Sequence, residues 1–584
     1  MNHNTSVSTV DPVTTEIIRT ALIAITDEMK TNLMRSAYNP IIYEALDYTV
    51  GLFDAKGNTV SIGLGLPMFI GGLSDAIKAM IKHYGPDGIK EGDIIMTNDP
   101  FTMGSHLNNV IIALPIFWQK EMLGFAATMA HWQDIGGTLS GTTTDVYSEG
   151  LQIPIVKIFK EGVQDKEITE IIRSNVRLSD QAMGDFWAQI AAARTGEKRF
   201  LQLVKNYGRD AVISSISMIM DHSEIIARKE VESIPDGVYE ADSFLDDDGV
   251  GQDPIFIGVK VIVEGDTFTV DLSNMNPQVK GFYNSGESAG RSAALVAFKC
   301  LTTPTLMPIN EGSFRPLKVI LPSGTVVSAK KPAATRQWMN VPDSIVDTVF
   351  KAVSPACPEK VAAAHHCDLM FYTAYGTRKD TEEFFIIAEG LFGGGWGAKY
   401  DEDGMSTTIC INDGDTHNSP IEALEAKYPV QVLQYTLRTD SGGAGRHRGG
   451  LGAIRAYKAL NDMAINTGID RTKCAPWGLE GGKSGLPNKV CVVKKDGTVV
   501  NFPNGKLSSY QLEEGDQFIL YSGGGGGFGN PLERPVDKVQ SDVISGYVSM
   551  EMAEKEYGVV IKPDSFEVDV KATERLREAM KAKV

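Results

Sequence analysis

The chain has 584 residues, of which 42% are hydrophobic and 22% are charged, and its formal net charge is −18. This length exceeds what one hydrophobic core supports, so it predicts roughly three to four domains, and the composition is that of an ordinary globular protein. The negative charge argues against nucleic acid or an anionic membrane surface as the main partner.

The cysteines and the N-terminal segment bear on the cellular compartment. Six cysteines are scattered without C-x-x-C spacing, which predicts reduced and mostly buried thiols. The first residues show neither the basic nor the apolar part of a secretory signal, and no apolar run reaches the roughly 18–20 residues that span a bilayer. We therefore expect a cytoplasmic protein that does not cross a membrane.

The first predicted element is an amphipathic helix over residues 11–37, with Asp11 as its N-cap and Pro12 at its first position. Two strands follow around a turn at residues 54–57. Asp47 directly precedes the apolar run of residues 48–53. A carboxylate in such a place is either paired or functional, because burying it alone costs too much.

Residues 93–137 carry the sharpest chemical signal in the chain. Two strand-like runs, Val110–Trp118 and Met122–Met129, are separated by a connection short enough to close a hairpin. Such a hairpin would bring His106 and His131, at the far ends of the pair, close together. Two imidazoles with carboxylates nearby indicate a metal or acid/base site.

The segment after the hairpin is predicted to be helix-rich over residues 166–233. Four polar residues recur on a helical period there, and we interpret them as a solvated or interdomain face: Arg177, Gln181, Asp185 and Gln189. From residue 235 the pattern turns to strands. His365 and His366 are adjacent, so their side chains point in different directions, and we expect a core or interdomain role for them.

The last third of the chain is punctuated by glycine clusters, which favour close backbone packing. None matches a phosphate-binding loop, since no GK[ST] opens a helix and the G-x-G-x-x-G order is absent. A nucleotide would therefore bind on another subunit. The pattern as a whole predicts an α+β, multidomain protein with mixed sheets, packed helices and a β-rich C-terminal half. The expected boundaries are 1–165 around the site, 166–233 helical, 234–390 α+β, and 391–584 glycine-rich β with C-terminal helices.

The residues alone thus indicate a pocket near the N-terminal third of the chain. Its candidate ligands or acid/base groups are Asp47, Asp99, His106, His131 and Asp134. Two histidines and one carboxylate suit Zn, Mn or Fe with an open position for substrate or water. A nucleophilic triad has less support, because no G-x-S-x-G elbow precedes a helix.

Several ordered motifs resemble the hydantoinase B/oxoprolinase family, and the resemblance covers nearly the whole chain. They include DPVTTEIIRTAL (11–22), EALDYTVGLFDAKG (44–57), TNDPFTMGSHLNNV (97–110), AHWQDIGG (130–137), YSEGLQIP (147–154) and DSGGAGRHRGGLG (440–452). The resemblance implies a large subunit that works with an ATP-binding subunit of the hydantoinase A type, in a heterotetramer or a larger hetero-oligomer. Such pairs couple ATP cleavage to opening a hydantoin, 5-oxoproline or lactam ring.

The resemblance also implies a divalent metal, Zn or Mn, at positions that match Asp47, His106 and His131, with Asn109 as a weak fourth ligand. Asp134 would then orient His131 or act as a general base, with His131 and Asp99 as further catalytic residues. ATP would be bound by the partner, and the complex would use ATP and, in some relatives, bicarbonate. The small-molecule substrate itself is not specified by the sequence.

Two departures from the family pattern keep other interpretations open. Many members carry Asp where this chain has Asn109, which offers only a neutral carbonyl, and some carry histidines within the stretch Gly65–Gly71. The first alternative is an ATP-dependent ketone carboxylase of the acetone or acetophenone type. The second is a non-catalytic scaffold subunit that has lost its metal.

Overall fold

A computed structural model describes residues 10–63, 65–85, 87–302, 309–414 and 416–582. Across those ranges the chain forms 13 α-helices and four β-sheets, which confirms the expected multidomain α+β class. The described helices include none that is both long and apolar enough to cross a membrane.

The first sheet has seven antiparallel strands in the order β2-β1-β5-β4-β3-β6-β7. The strands are β1 (Tyr48–Asp54), β2 (Thr59–Gly63), β3 (Ile94–Thr97), β4 (Asn109–Trp118), β5 (Glu121–His131), β6 (Val156–Lys160) and β7 (Val163–Gln164). The predicted hairpin is β4–β5, and it occupies the middle of this sheet.

Seven helices accompany the first sheet: α1 (Pro12–Ser36), α2 (Pro40–Tyr43), α3 (Gly72–Tyr84), α4 (Pro100–Met103), α5 (Lys166–Asn175), α6 (Ser179–Tyr207) and α7 (Arg209–Glu232). The Asp11 side chain accepts hydrogen bonds from the first turn of α1, as the sequence predicts. Helices α1, α6 and α7 pack with Ala126 and Ala130 of β5 on one face of the sheet. Helix α3 packs with Ala127 and Met129 on the other face, so β5 is buried on both sides and reads as a continuous apolar run.

The second sheet has the order β11-β10-β9-β8, and only β10 and β11 are parallel. Its strands are β8 (Gly237–Leu245), β9 (Ile255–Glu264), β10 (Thr267–Asp271) and β11 (Leu317–Ile320). Helices α8 (Glu287–Thr302) and α9 (Asn340–Val353) share a hydrophobic core with it.

Two further sheets, of four and five strands, make up the β-rich C-terminal half. The third sheet contains β12 (Tyr372–Thr377), β13 (Phe384–Glu389), β16 (Met463–Thr467) and β19 (Tyr510–Leu512). The fourth contains β14 (Val430–Leu437), β15 (Ala453–Ala459), β17 (Lys489–Val493), β18 (Val499–Asn501) and β20 (Gln517–Tyr521). The remaining helices are α10 (Ile421–Lys427), α11 (Val536–Ile544), α12 (Met550–Tyr557) and α13 (Val570–Lys581).

The glycine clusters of this half pack backbone against backbone. A Cβ added at Gly525 would lie 1.9 Å from the carbonyl oxygen of Trp396, and one at Gly449 would lie 1.9 Å from that of Gly525. No side chain fits at such distances, so these positions require glycine. The structural interpretation of the glycine clusters is confirmed.

Candidate active site

The hairpin places the candidate site at one end of the first sheet. Strands β4 and β5 pair with Asn109 opposite His131, and the turn residues Gln119 and Lys120 have φ values of 50° and 72°. Positive φ at both turn residues gives the twist that suits a two-residue hairpin. Because β1 pairs with the other edge of β5, Asp47, one residue before β1, reaches the same end of the sheet.

The two predicted histidines lie side by side there. The ring centroids of His106 and His131 are 4.8 Å apart, with planes inclined at 66°. Nδ1 of His106 lies 3.1 Å from the carbonyl oxygen of Arg336. Since a carbonyl can only accept, Nδ1 carries the proton and Nε2 keeps a free lone pair. A bond of this kind fixes the tautomer of many metal-binding histidines.

Several polar atoms at this site have no hydrogen-bond partner among the described residues. They are Oδ1 of Asp47, Nε2 of His106, Nδ1 of His131 and both side-chain amide atoms of Asn109. None of the four residues is more than 8% exposed. Because an unpaired buried polar atom is costly, such a convergent set indicates a place for a ligand or an ion.

Burial sets the charge of these groups. It lowers the pKa of His106 to about 4 and the pKa of His131 well below its ordinary value, with His106 adding to the effect. Burial, helped by the nearby Asp413 carboxylate, raises the pKa of Asp47 to about 8. Both imidazoles are therefore neutral at neutral pH, which is the form that binds a metal.

The donors fit a divalent cation in kind, although they are not drawn together around one. Two imidazoles, a carboxylate and an amide oxygen suit Zn²⁺ or Mn²⁺. The ligand atoms of Asp47, His106 and His131 do not all lie within 4.8 Å of one another. Among the described residues, only two groups of potential metal ligands are that compact, and both contain His365. Binding here requires the side chains to rotate toward the ion.

Asp134 lies in the same cavity, but Arg177 occupies its carboxylate. Its Oδ1 forms a 2.8 Å ion pair with Nη1 of Arg177 and accepts the Gly136 N–H at 3.3 Å, while Oδ2 accepts the backbone N–H of Arg177. In the described part of the chain, His131 is not among the hydrogen-bond partners of this carboxylate. Because both carboxylate oxygens are engaged with Arg177, this geometry favours a role in positioning that arginine.

Asp99 lies outside the cavity, in the wall of a neighbouring depression. Its carboxylate accepts the N–H of Phe101 at 3.3 Å and the hydroxyl of Thr102 at 2.6 Å. These are the bonds of an N-cap, and they begin helix α4. The geometry therefore gives Asp99 a capping role in place of the expected catalytic one.

We expect the Asp99→Asn variant to keep wild-type turnover, because asparagine caps a helix about as well as aspartate. Asp99→Ala should lose about 1 kcal/mol of stability, also with turnover preserved. Steady-state kinetics and thermal unfolding of the two variants check this. A large loss of turnover in a fully folded Asp99→Asn protein would restore the catalytic assignment.

The site opens into a cavity with a volume of about 140 Å³. This is below the roughly 300–1,000 Å³ typical of sites for drug-sized ligands, so it suits a small ring. The charged side chains that line it include Glu149, Arg177 and Arg336. Its apolar lining consists of Met339, Leu369, Phe371, Ile386 and Leu391.

Arg336 and Glu149 belong to the site although sequence reasoning missed them. The Glu149 carboxylate accepts the backbone N–H groups of Thr335 and Arg336, the latter at 2.8 Å. It thereby fixes the loop whose carbonyl binds His106. Arg336 is 230 positions from His106 in the chain, so no local pattern could have linked them.

The predicted polar face is solvated only at its start, where Arg177 precedes α6 and is exposed. The part on α6 serves the hairpin instead, and for Asp185 and Gln189 the solvated interpretation is wrong. Asp185 and Gln189 are fully buried. Gln189 accepts a 2.9 Å hydrogen bond from Nε1 of Trp132, and Gln181 donates to Gln133 at 2.7 Å. These bonds hold the residues that flank His131.

Comparison with known proteins identifies the family of the chain. The profile of the hydantoinase B/oxoprolinase family matches residues 11–531. The chain is 32% identical over 594 residues to a protein of Pseudomonas sp. (strain NS671) named as the B-type component of a D-/L-hydantoinase, covering 98% of this chain and 99% of that one. It is also 32% identical over 588 residues to the beta chain of the caprolactamase of Pseudomonas jessenii, covering 98% and 100%.

Solved structures share the fold along the whole chain. The ATP-dependent caprolactamase of Pseudomonas jessenii superposes with a TM-score of 0.89 at 30% identity, covering 98% of this chain and 100% of that one. An acetone carboxylase structure gives a TM-score of 0.91 at 20% identity, covering 98% and 83%, and this likeness concerns the fold alone.

Proposed function

The chain belongs to the hydantoinase B/oxoprolinase family, and from this premise we propose that it is one subunit of an ATP-dependent amidohydrolase that opens a cyclic amide. The candidate ring is a hydantoin, oxoproline or lactam. Full-length similarity to the caprolactamase beta chain and to the B-type component of a hydantoinase supports this class of substrate. The similarity to 5-oxoprolinase 1 of Arabidopsis thaliana is weaker, at 26% identity, and spans 42% of that protein.

One observation carries the proposal. The side chains of Asp47, His106 and His131 line one small cavity, and each has an unpartnered polar atom. The apolar side chains that line the same cavity suit the methylene groups of a ring. Such a cavity, with a few placed polar groups, is the usual form of a small-molecule site.

The metal that the family implies would bind Asp47, His106 and His131, with the Asn109 carbonyl oxygen as a fourth ligand. Bound Zn²⁺ or Mn²⁺ supplies Lewis acidity and an acidified water. The orphaned atoms of these four residues support the assignment.

The charged side chains around the cavity balance as two pairs. Arg177 pairs with Asp134, and the Glu149 carboxylate partly counters the effect of burial on Arg336, whose pKa stays lowered. A neutral site suits an uncharged ring whose oxygen gains negative charge only during the reaction, because the donors then favour the transition state over the bound substrate. In this arrangement Arg177 and Arg336 orient the amide oxygen.

A second subunit completes the proposal. Both relatives are named as single components, B-type and beta, of their enzymes, and this chain shows no phosphate-binding loop in its sequence. We infer a hetero-oligomer in which an ATP-binding subunit of the hydantoinase A type activates the amide. The cavity described above then houses ring opening.

The test supplies the purified complex with ATP, labelled bicarbonate and a panel of hydantoins, 5-oxoproline, lactams and small ketones. We expect an ATP-dependent, ring-opened product without label. A labelled acid formed from a ketone would establish the carboxylase alternative, which rests on the acetone carboxylase fold. Ring opening by the isolated ATP-binding partner would identify this chain as the scaffold.

A further inference from the structure

A second group of side chains with potential metal-ligand atoms lies near Asp47 of the active-site cavity. We call it the Cys410 cluster and define it as Asp343, His365, Cys410 and Asp413. Asp343, Cys410 and Asp413 are fully buried and His365 is 3% exposed. Asp343 lies on α9, whereas the other residues come from connecting segments far along the chain.

The donor atoms of this cluster are close together. The ligand atoms of Asp343, His365 and Cys410 all lie within 4.8 Å of one another. No residue of the cluster belongs to the set Asp47, His106, Asn109 and His131. The two groups thus share no ligand, and they adjoin, since Asp413 is near enough to Asp47 to raise its pKa.

One nitrogen of His365 is already oriented. Nδ1 lies 2.6 Å from Oδ1 of Asp347, whose other oxygen is 3.2 Å from Arg471. Nε2 has no partner among the described residues. A carboxylate that holds one imidazole nitrogen while the other stays free is the usual support of a metal-binding histidine.

The carboxylate of Asp343 offers both oxygens to a cation. Neither oxygen has a hydrogen-bond partner in the described part of the chain, and Oδ1 of the neighbouring Asp413 has none either. One cation would satisfy these buried oxygens together, because it attracts several acceptor atoms at once. The guanidinium of Arg471 is engaged with Asp347. Burial and the neighbouring Asp413 raise the pKa of Asp343 well above its ordinary value.

The donor types select the ion. A thiol sulfur, an imidazole nitrogen and carboxylate oxygens together suit Zn²⁺, whereas Mg²⁺ and Ca²⁺ prefer oxygen alone. The Cys410 thiol donates to Asp413, so this carboxylate is the adjacent candidate for a fourth ligand, although it lies outside the group of atoms within 4.8 Å of one another. Burial in apolar surroundings raises the pKa of this thiol, and a bound cation would reverse that by replacing its proton.

We propose that Asp343, His365 and Cys410 bind a structural zinc ion, with Asp413 as the fourth ligand. Four protein ligands leave no open position, which is the form of a structural zinc site. The ion joins α9 to the segment around Cys410. Two residues near these ligands in the chain line the active-site cavity, namely Met339 beside α9 and Leu369 close to His365. The zinc thereby fixes this part of the cavity lining.

X-ray absorption at the zinc edge tests the proposal on the full-length chain, because of the two sites only the Cys410 cluster offers a sulfur ligand. We expect a sulfur scatterer at about 2.3 Å in the wild-type protein and in His131→Ala, which removes a ligand of the other site. Cys410→Ser and Asp343→Asn should each lose one equivalent of zinc per chain, and Cys410→Ser should lose the sulfur signal.

Cys357→Ser is the matched control, since this thiol is buried outside the cluster and should not change zinc content. A wild-type protein without a zinc–sulfur signal would overturn the proposal, whatever the variants do. So would a signal that persists in Cys410→Ser but disappears in Cys367→Ser, the thiol of the other group around His365. None of these readouts depends on turnover, so they are independent of the proposed amidohydrolase activity.

Discussion

His131→Ala is expected to lose cyclic-amide turnover by more than about 100-fold, since removing even an indirect support of a metal ligand commonly costs 10–100-fold. The side chain is buried at the end of β5, beside His106 at 4.8 Å between ring centroids. Its free Nδ1 is one of the atoms that converge on the proposed ion. The measurements are turnover of the complex and metal content by elemental analysis.

The matched control is His222→Ala, which removes an exposed histidine of α7 and should leave both quantities unchanged. Asn109→Asp changes the site in the opposite direction, because a carboxylate binds a divalent cation more strongly than a neutral amide oxygen. We expect tighter metal binding in that variant. Equal metal content in His131→Ala and the wild type would remove His131 from the ligand set, and full turnover would favour the scaffold interpretation.

Glu149→Gln is expected to lower both stability and turnover. The carboxylate accepts from four donor groups, namely the backbone N–H groups of Thr335 and Arg336 and the hydroxyls of Thr143 and Thr335. Glutamine would turn an N–H₂ group toward these donors. With about 1.5–3 kcal/mol for a hydrogen bond to a charged group, losing one or two such bonds should destabilise the loop by about 2–4 kcal/mol.

The loss of turnover follows because that loop also holds His106 through the Arg336 carbonyl. Thermal unfolding and steady-state kinetics check both effects, with Glu287→Gln as control, since this glutamate is 54% exposed and surface changes usually stay within about 0.5 kcal/mol. Unchanged unfolding and kinetics in Glu149→Gln would show that the loop is held by other contacts.

Features with local causes were predictable. The capped helix α1 follows from Asp11, Pro12 and the apolar period of the next residues. The β4–β5 hairpin follows from two apolar runs joined by a short turn, and the pairing of Asn109 with His131 follows from that register. Asp47 was identifiable because a carboxylate next to a buried strand needs a reason to be there.

Features that depend on packing between distant segments were not predictable from the sequence. The helical period of Gln181, Asp185 and Gln189 predicts that they share one face of a helix. It does not indicate whether that face contacts water or the hairpin. Local sequence could not assign a role to Asp99, because a capping carboxylate and a catalytic one have the same local pattern. The adjacency argument for His365 and His366 holds for their directions, as their rings are perpendicular and 6.0 Å apart. The adjacency argument could not reveal that Asp343 and Cys410 lie beside His365.

By itself the sequence determined the family and the α+β class. It also predicted the set Asp47, His106, Asn109 and His131, whose members the pairing of β1, β4 and β5 places at one end of the first sheet. Only the tertiary structure decided which carboxylates are free and which are engaged, since Arg177 and Glu149 reach the site from other elements. The same holds for the Cys410 cluster, because its residues come from α9 and from two distant segments. Local patterns record the directions of side chains, whereas the partners they meet depend on how separate elements pack.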